Sequence, residues 1–136
     1  MADAKKAMEM YYAGLNCGQI VTTFLSEPCG FDEKAGRAAL GGFGMGLYNG
    51  EVCGAVAGAI YALGMYCNHC EYNDEKAKKK IAGMTKDFTT CFLDTYGSLR
   101  CVHFTGDGDH NKCWAYIAKA EELVRNIIEE DKLVNA

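Results

Sequence analysis

Eight of the 136 residues are cysteines, and they are not placed at random. Cys53 stands where a glycine-dense loop meets a run of small residues, in GGFGMGLYNGEVCGAVAGAIYALG over residues 41–64. A helix starting there would give Cys53 the unpaired amides and positive dipole end of a first turn. That setting biases a thiol towards thiolate, the form that attacks disulfides and binds metals. Cys17 follows Asn16, a good capping residue. Cys113 opens the last helical segment, and Cys101 lies in the loop before it. If these helix starts converge, they build an electropositive pocket of four thiols, suited to an anionic thiolate cluster.

The remaining sulfurs give weaker patterns. Cys67 and Cys70 form CNHC just past the predicted helix over residues 54–65. CxxC is a redox or half-zinc spacing, but no second CxxC or HxxxH follows at the right distance, so a solvent-facing turn with spare thiols competes with it. Cys101, His103, His110 and Cys113 make a C-x-H…H-x-x-C array of zinc-ligand types, although both histidines also read as plain loop residues. Cys91 falls in an apolar stripe and is expected to be a small core hydrophobe. Cys29 is expected in a loop. Packing alone could account for any single one of these cysteines. It accounts less well for four of them near helix starts.

The elements that must position these thiols read as helices. There is a single proline, Pro28, and few stretches alternate apolar with polar. A first helix is predicted over residues 2–13, with Ala4, Ala7, Met8, Tyr11 and Leu15 as its stripe and Gly14 as its stop. Asn16 caps a second helix that buries Cys17, Ile20, Val21, Phe24 and Leu25, stopped by Pro28 and Gly30. Asp32 caps a short third helix to about Leu40. Asp74 caps a long helix to about Tyr96, with the stripe Ala77, Ile81, Met84, Phe88, Cys91 and Thr95. The last helix is predicted over residues 111–130, burying Cys113, Ile117, Ala120, Val124 and Ile127, with Trp114 beside the stripe. The expected fold is all-α: one domain over residues 1–136, a bundle of five to six helices with a glycine-rich loop before the central one. Gly54, Gly58 and Ala62 recur at a spacing of four, a seam against which a second helix can lie closely.

Composition narrows the function. A net charge of −4 gives no footprint for nucleic acid or an anionic membrane. No apolar run is long enough to span a bilayer, and the N-terminus lacks the apolar core of a secretory signal. A cytoplasmic protein is expected, where dense cysteines favour metal ligands or working thiols over structural disulfides. The GxGxG run lacks the preceding strand that a dinucleotide site requires. It reads instead as glycines that turn the chain and allow close approach. GxSxG, P-loop and HExxH are absent, and so is any telling acid–base pair.

Five stretches carry a family resemblance: YYAGLNCGQIV at residues 11–21, GGFGMG at 41–46, CGAVAGAIYALG at 53–64, FLDTYGSLRCVHFTG at 92–106 and KCWAYIAKAEELV at 112–124. Together they resemble the C-GCAxxG-C-C family of redox-active proteins, with the cysteines in the family's order. The resemblance implies that Cys17, Cys53, Cys101 and Cys113 are the signature cysteines. It also implies an origin among anaerobic bacteria, often with the gene near transporter genes, and a likeness to a cysteine domain found beside an iron centre in some cytochromes. The chain departs from the pattern in a short segment between Cys101 and Cys113 and in His103, where relatives often carry an acidic residue. Cys29, Cys67, Cys70 and Cys91 lie outside the signature.

Three chemistries follow as expectations. In the first, Cys17, Cys53, Cys101 and Cys113 hold an iron–sulfur or similar metal centre for electron transfer or redox sensing. In the second there is no cofactor: Cys53 attacks as a low-pKa thiol and is resolved by Cys17, Cys101 or Cys113, with Cys53 and Cys17 the catalytic candidates. The third is structural zinc, to which His103, His110, Cys67 and Cys70 are further candidate ligands. The partner expected is a redox protein, with no nucleic acid and no membrane span, and a homo-oligomer is compatible with the sequence.

Overall fold

The computed structural model describes residues 3–106 and 113–135. The expected all-α architecture is present: the described residues form seven α-helices, with an isolated two-residue bridge as their only β-type pairing. They are α1 (Ala4–Tyr12), α2 (Cys17–Cys29), α3 (Glu33–Ala39), α4 (Gly54–Cys67), α5 (Glu75–Tyr96), α6 (Cys101–Thr105) and α7 (Cys113–Val134). The helix beyond the expected six is α6, five residues in what reads as a loop. The predicted helix start at Asn111 lies outside the described residues.

Local caps set most boundaries. The Asn16 side chain accepts from the Gln19 amide (2.9 Å), and the Gln19 side chain accepts from the Asn16 amide (2.9 Å), a complete capping box at the start of α2. Asp32 and Asp74 cap α3 and α5 by accepting from the Ala35 and Ala77 amides, without the reciprocal bond. Gly30 and Gly97 close α2 and α5 in the left-handed conformation.

Two helix ends differ from expectation. Cys29 is the buried last residue of α2 instead of a loop residue. Pro28 sits inside that last turn and cannot donate to the Phe24 carbonyl. The Arg125 guanidinium of α7 donates to it instead (3.3 Å), so α2 continues until Gly30. Cys67 likewise belongs to α4, which runs two residues past Met65 and stops at Asn68 in the left-handed conformation.

The core lies between α2, α4, α5 and α7. The α2–α4 pair is the most extensive, and the small-residue seam is its cause. A Cβ on Gly54 would come 3.1 Å from the Gly18 amide nitrogen, and one on Gly58 would come 2.8 Å from the Gly18 carbonyl oxygen. Glycine at these positions lets two backbones touch. Stepping from Gly54 to Gly58 moves the contact from Cys17 towards Val21, so α2 and α4 run parallel.

On α5 the buried residues are Met84, Phe88 and Phe92; Cys91 and Thr95 are exposed. The expected core role for Cys91 is therefore wrong. Phe92 takes the inward position and joins Phe88, Tyr96, Phe104 and Tyr116 in one aromatic cluster. On α7, Ile128 replaces Ile127 as the fully buried residue. Glu121 is also buried there, ion-paired with Arg125. Of the α1 stripe, Ala7 is buried while Met8 and Tyr11 stay exposed.

Candidate functional site

Four helix starts meet at one end of the bundle. Cys17 is the first residue of α2, Cys53 the N-cap of α4, Cys101 the first residue of α6 and Cys113 the first of α7. Cys101 thus lies at a helix start and not in the expected loop. All four line a single pocket of about 190 Å³, together with Tyr11, Met45, Tyr48, Phe104 and Tyr116. That volume is below the roughly 300–1,000 Å³ of pockets for drug-sized ligands, so it suits a small group.

Backbone pairing fixes two of the four. The Cys53 amide donates to the Leu99 carbonyl (2.7 Å), and the Cys101 amide donates to the Glu51 carbonyl (2.6 Å). These bonds flank an antiparallel bridge between Val52 and Arg100. Arg100 adds a two-pronged ion pair to Glu51, both contacts at 3.2 Å. Cys17 is held by the Asn16 capping box, and the Asn16 amide nitrogen also donates to the Leu40 and Gly41 carbonyls (3.1 and 3.2 Å). One side chain thereby ties the start of α2 to the glycine loop. On the floor, the Phe104 and Tyr116 rings stack with centroids 4.4 Å apart.

The rim is strained. Met45, Leu47 and Tyr48 all have left-handed backbones, with φ of 51°, 61° and 54°. Each costs about 1–2 kcal/mol for a residue with a side chain. Gly46 lies among them at φ 63°, where a Cβ would fall 2.7 Å from the Cys101 Cβ and 2.6 Å from the Glu51 backbone. Strain of this kind collects at functional sites.

Burial dominates the thiols. Cys53 and Cys113 are each only 6% exposed. The Cys53 thiol is pushed up to about 11, chiefly by burial, with Cys101 and Cys113 adding to the rise. The Val56 and Ala55 amides face its sulfur and pull the other way, without forming a regular cap hydrogen bond. The expected low-pKa Cys53 is therefore not found: the helix start favours thiolate by at most about 2 kcal/mol, and loss of water outweighs it. Cys17 shares a thiol–thiol hydrogen bond with Cys113. That bond, then burial and the three neighbouring thiols, raise its pKa far above the ordinary value. The Cys101 sulfur lies 3.4 Å from the Thr105 hydroxyl.

The other candidates lie elsewhere. His103 is exposed, its Nδ1 2.6 Å from the Ser98 hydroxyl, and it does not line the pocket. His110 lies outside the described residues. Cys70 is exposed and contacts Asn68 (3.7 Å), while Cys67 packs against Met84. Among the described residues, no three His, Cys, Asp or Glu side chains are grouped so as to hold a metal ion. None of the described helices is long and apolar enough to cross a membrane. The Asn16 cap was foreseen, but its tie to the Leu40 and Gly41 carbonyls and the Glu51–Arg100 pair were missed in the sequence, because both join residues far apart in the chain.

Residues 15–127 match the family described as "Putative redox-active protein (C_GCAxxG_C_C)". No curated protein and no solved structure matches the chain. The matched span is well over half of the chain, which belongs to the C-GCAxxG-C-C family.

Proposed function

We propose that the chain is a redox protein whose working centre is the pocket of Cys17, Cys53, Cys101 and Cys113, and that these four hold an iron–sulfur or similar metal centre for electron transfer or redox sensing. The observation that carries this reading is the pocket itself. Four cysteines from four helix starts, between Cys17 and Cys113 in the sequence, line one small cavity. Four thiols are the usual donor set for such centres. Four thiolates would share out as one per iron in a four-iron cluster or two per iron in a two-iron cluster, so three sulfurs need not converge on one ion; a lone structural zinc would require that they do. Bound there, the centre would supply a one-electron couple.

The chain's own residues do the rest. Burial keeps the Cys17 and Cys53 thiols neutral until a cation displaces their protons, which makes loading a proton-releasing step. The backbone bridge at Glu51–Cys53 and the Asn16 cap hold the donors in place. Phe104 and Tyr116 exclude water from one side, and the strained Met45–Tyr48 segment borders the other, where a redox partner protein would approach.

Anaerobic purification should yield a coloured protein carrying iron and acid-labile sulfide. Serine at any one of the four positions should lower both, while serine at Cys91 should not. A colourless anaerobic preparation free of iron and sulfide would sink the reading.

One observation favours a second reading. The thiol–thiol contact of Cys17 and Cys113 fits a dithiol that closes to a disulfide, passing two electrons and two protons to a disulfide-bearing partner. Differential alkylation and peptide mapping after exposure to oxidised glutathione would then recover Cys17 linked to Cys113. Recovery of both as free thiols rejects it.

A further inference from the structure

Cys101 differs from the other pocket cysteines in what supports it. Cys17, Cys53 and Cys113 stand at the starts of helices of 13, 14 and 22 residues, whereas α6 behind Cys101 has five. So short a helix aligns few peptide dipoles, and little of the end charge of a full helix reaches the Cys101 sulfur. Its amide is engaged by the Glu51 carbonyl, and the neighbouring Arg100 guanidinium by the Glu51 carboxylate. What does reach the sulfur is a hydroxyl. Thr105 lies four residues on, the spacing that puts two side chains on one helix face. Its hydroxyl lies 3.4 Å from the Cys101 sulfur and donates to the Cys101 carbonyl (3.1 Å). Thr105 lines the pocket, where it is the one aliphatic hydroxyl among the described lining residues.

Bonding back to the carbonyl four residues earlier is common for a helical threonine. Contact with the sulfur of a pocket cysteine is not part of that habit. A hydroxyl carries one proton and two acceptor lone pairs. While Cys101 is a thiol, its S–H can donate to the Thr105 oxygen as the hydroxyl proton stays on the carbonyl, and both contacts are met. A thiolate is an acceptor only. The contact then requires the hydroxyl proton to turn from the carbonyl to the sulfur, and a bond to a charged acceptor is about twice as strong as the neutral one it replaces. Rotation about one C–O bond suffices, and Thr105 keeps its proton.

We propose that Thr105 is a positioning residue of the four-cysteine site: its hydroxyl donates to the Cys101 sulfur when that sulfur binds metal, and so raises the reduction potential of the centre held there. This rests on the four-cysteine reading above. Reduction adds one electron, and an O–H dipole aimed at a ligand sulfur stabilises the added negative charge. No proton is transferred and no covalent bond is broken; the redox partner supplies and withdraws the electron.

The test is an anaerobic redox titration, with dithionite and mediators, of the iron-loaded full chain and of Thr105→Val, Thr105→Ala and Thr105→Ser. Valine keeps the branched shape, alanine opens space, and neither keeps the hydroxyl. Both variants should retain iron and sulfide, while the equilibrium constant for reduction falls about tenfold, a potential about 59 mV more negative for one electron. Thr105→Ser restores the hydroxyl and should return the native potential, a rescue that a packing role for the threonine methyl would not give. Proton hyperfine spectra of the reduced native chain, before and after exchange into deuterium oxide, should show an exchangeable proton that Thr105→Val lacks. Native potentials in iron-loaded Thr105→Val and Thr105→Ala would overturn this proposal and leave the four-cysteine reading standing. Loss of iron from both, with native helical spectra, would also overturn it, since the hydroxyl would then hold the centre instead of setting its potential. A native chain without iron or sulfide after anaerobic purification would sink the four-cysteine reading, and this inference with it.

Discussion

Gly58→Ala tests whether the α2–α4 contact sets the spacing of the bundle. The added Cβ would stand 2.8 Å from the Gly18 carbonyl oxygen, 3.2 Å from the Gly18 Cα and 3.2 Å from the Val21 Cβ. Ordinary carbon contacts begin at about 3.5 Å, so α2 must retreat by several tenths of an ångström. The obstructing atoms are mostly backbone and cannot rotate away. Adding a methyl to a packed core costs about 1–3 kcal/mol, while replacing a helical glycine with alanine returns at most about 1 kcal/mol. The net loss is about 1–2 kcal/mol, a melting temperature lower by about 3–10 °C for a chain of this size. Gly83→Ala is the control. Gly83 is exposed within α5, and its Cβ would meet nothing within 4 Å. Here the propensity gain stands alone, and melting should rise by about 2–5 °C. Both variants are measured by thermal melts at 222 nm with reduced protein. If Gly58→Ala melts at or above the native temperature while Gly83→Ala behaves as expected, the helices have slack and the close-contact reasoning fails. Because Gly54 and Cys17 share this contact, Gly58→Ala should also lower iron loading at the pocket.

Asn16→Asp keeps the cap on α2 but removes the two donors to Leu40 and Gly41, and should cost about 1–3 kcal/mol; urea midpoints equal to native would contradict the tie between α2 and the glycine loop. Arg125→Met removes the guanidinium from buried Glu121 and from the Phe24 carbonyl that Pro28 leaves without a donor. A loss of about 3–5 kcal/mol is expected, and a loss under about 1 kcal/mol would show the pair to be dispensable. The hydrogen bond from Tyr66 (2.7 Å) and then the Lys80 ion pair (2.9 Å) hold the Asp131 carboxyl below its ordinary 3.8. A lowered folded-state pKa stabilises the fold fully above pH 3.8, and that contribution disappears as pH falls through the folded value. Stability measured from pH 6 to 2 should therefore fall less steeply in Asp131→Asn, and superimposable profiles would refute it.

Local chemistry made much of this fold readable. Asn16, Asp32 and Asp74 cap the helices they precede, and Gly30 and Gly97 end the helices they follow. The GxxxG seam was legible because its spacing is a property of one helix. Where the reading failed, a distant residue decided the outcome. Pro28 reads as a stop, and α2 passes through it because Arg125, 101 positions from Phe24, supplies the missing donor. Cys91 and Phe92 are adjacent, so a stripe drifting by one position over six turns of α5 exchanges them; the aromatic cluster on α6 and α7 selects Phe92. The five residues of α6 are too few to show a period. The order of the signature cysteines and the helix-start positions of Cys17, Cys53 and Cys113 were readable; the helix start at Cys101 was not, nor was protonation, because burial depends on what covers the thiols.

The thiols of the pocket face opposing demands. Helix starts and the Val56 and Ala55 amides favour negative sulfur, yet burial and the neighbouring thiols push Cys53 up to about 11. Without a cation, Cys17 and Cys53 rest as neutral thiols that leave the helix-start dipoles unused. With four thiolates and no cation, the pocket would hold mutually repelling charges out of water. A cationic centre of the kind proposed would reverse both penalties together, since it would neutralise the repulsion and let the amides face negative sulfur. The same logic explains why a chain would tolerate Met45, Leu47 and Tyr48 in left-handed conformations. Strain at the rim is kept where the surroundings over-determine it. Here the Glu51–Arg100 pair, the bridge to Cys101 and the Asn16 tie fix the loop from three sides. The glycine loop is thereby held against the pocket, which Met45 and Tyr48 line together with the four cysteines.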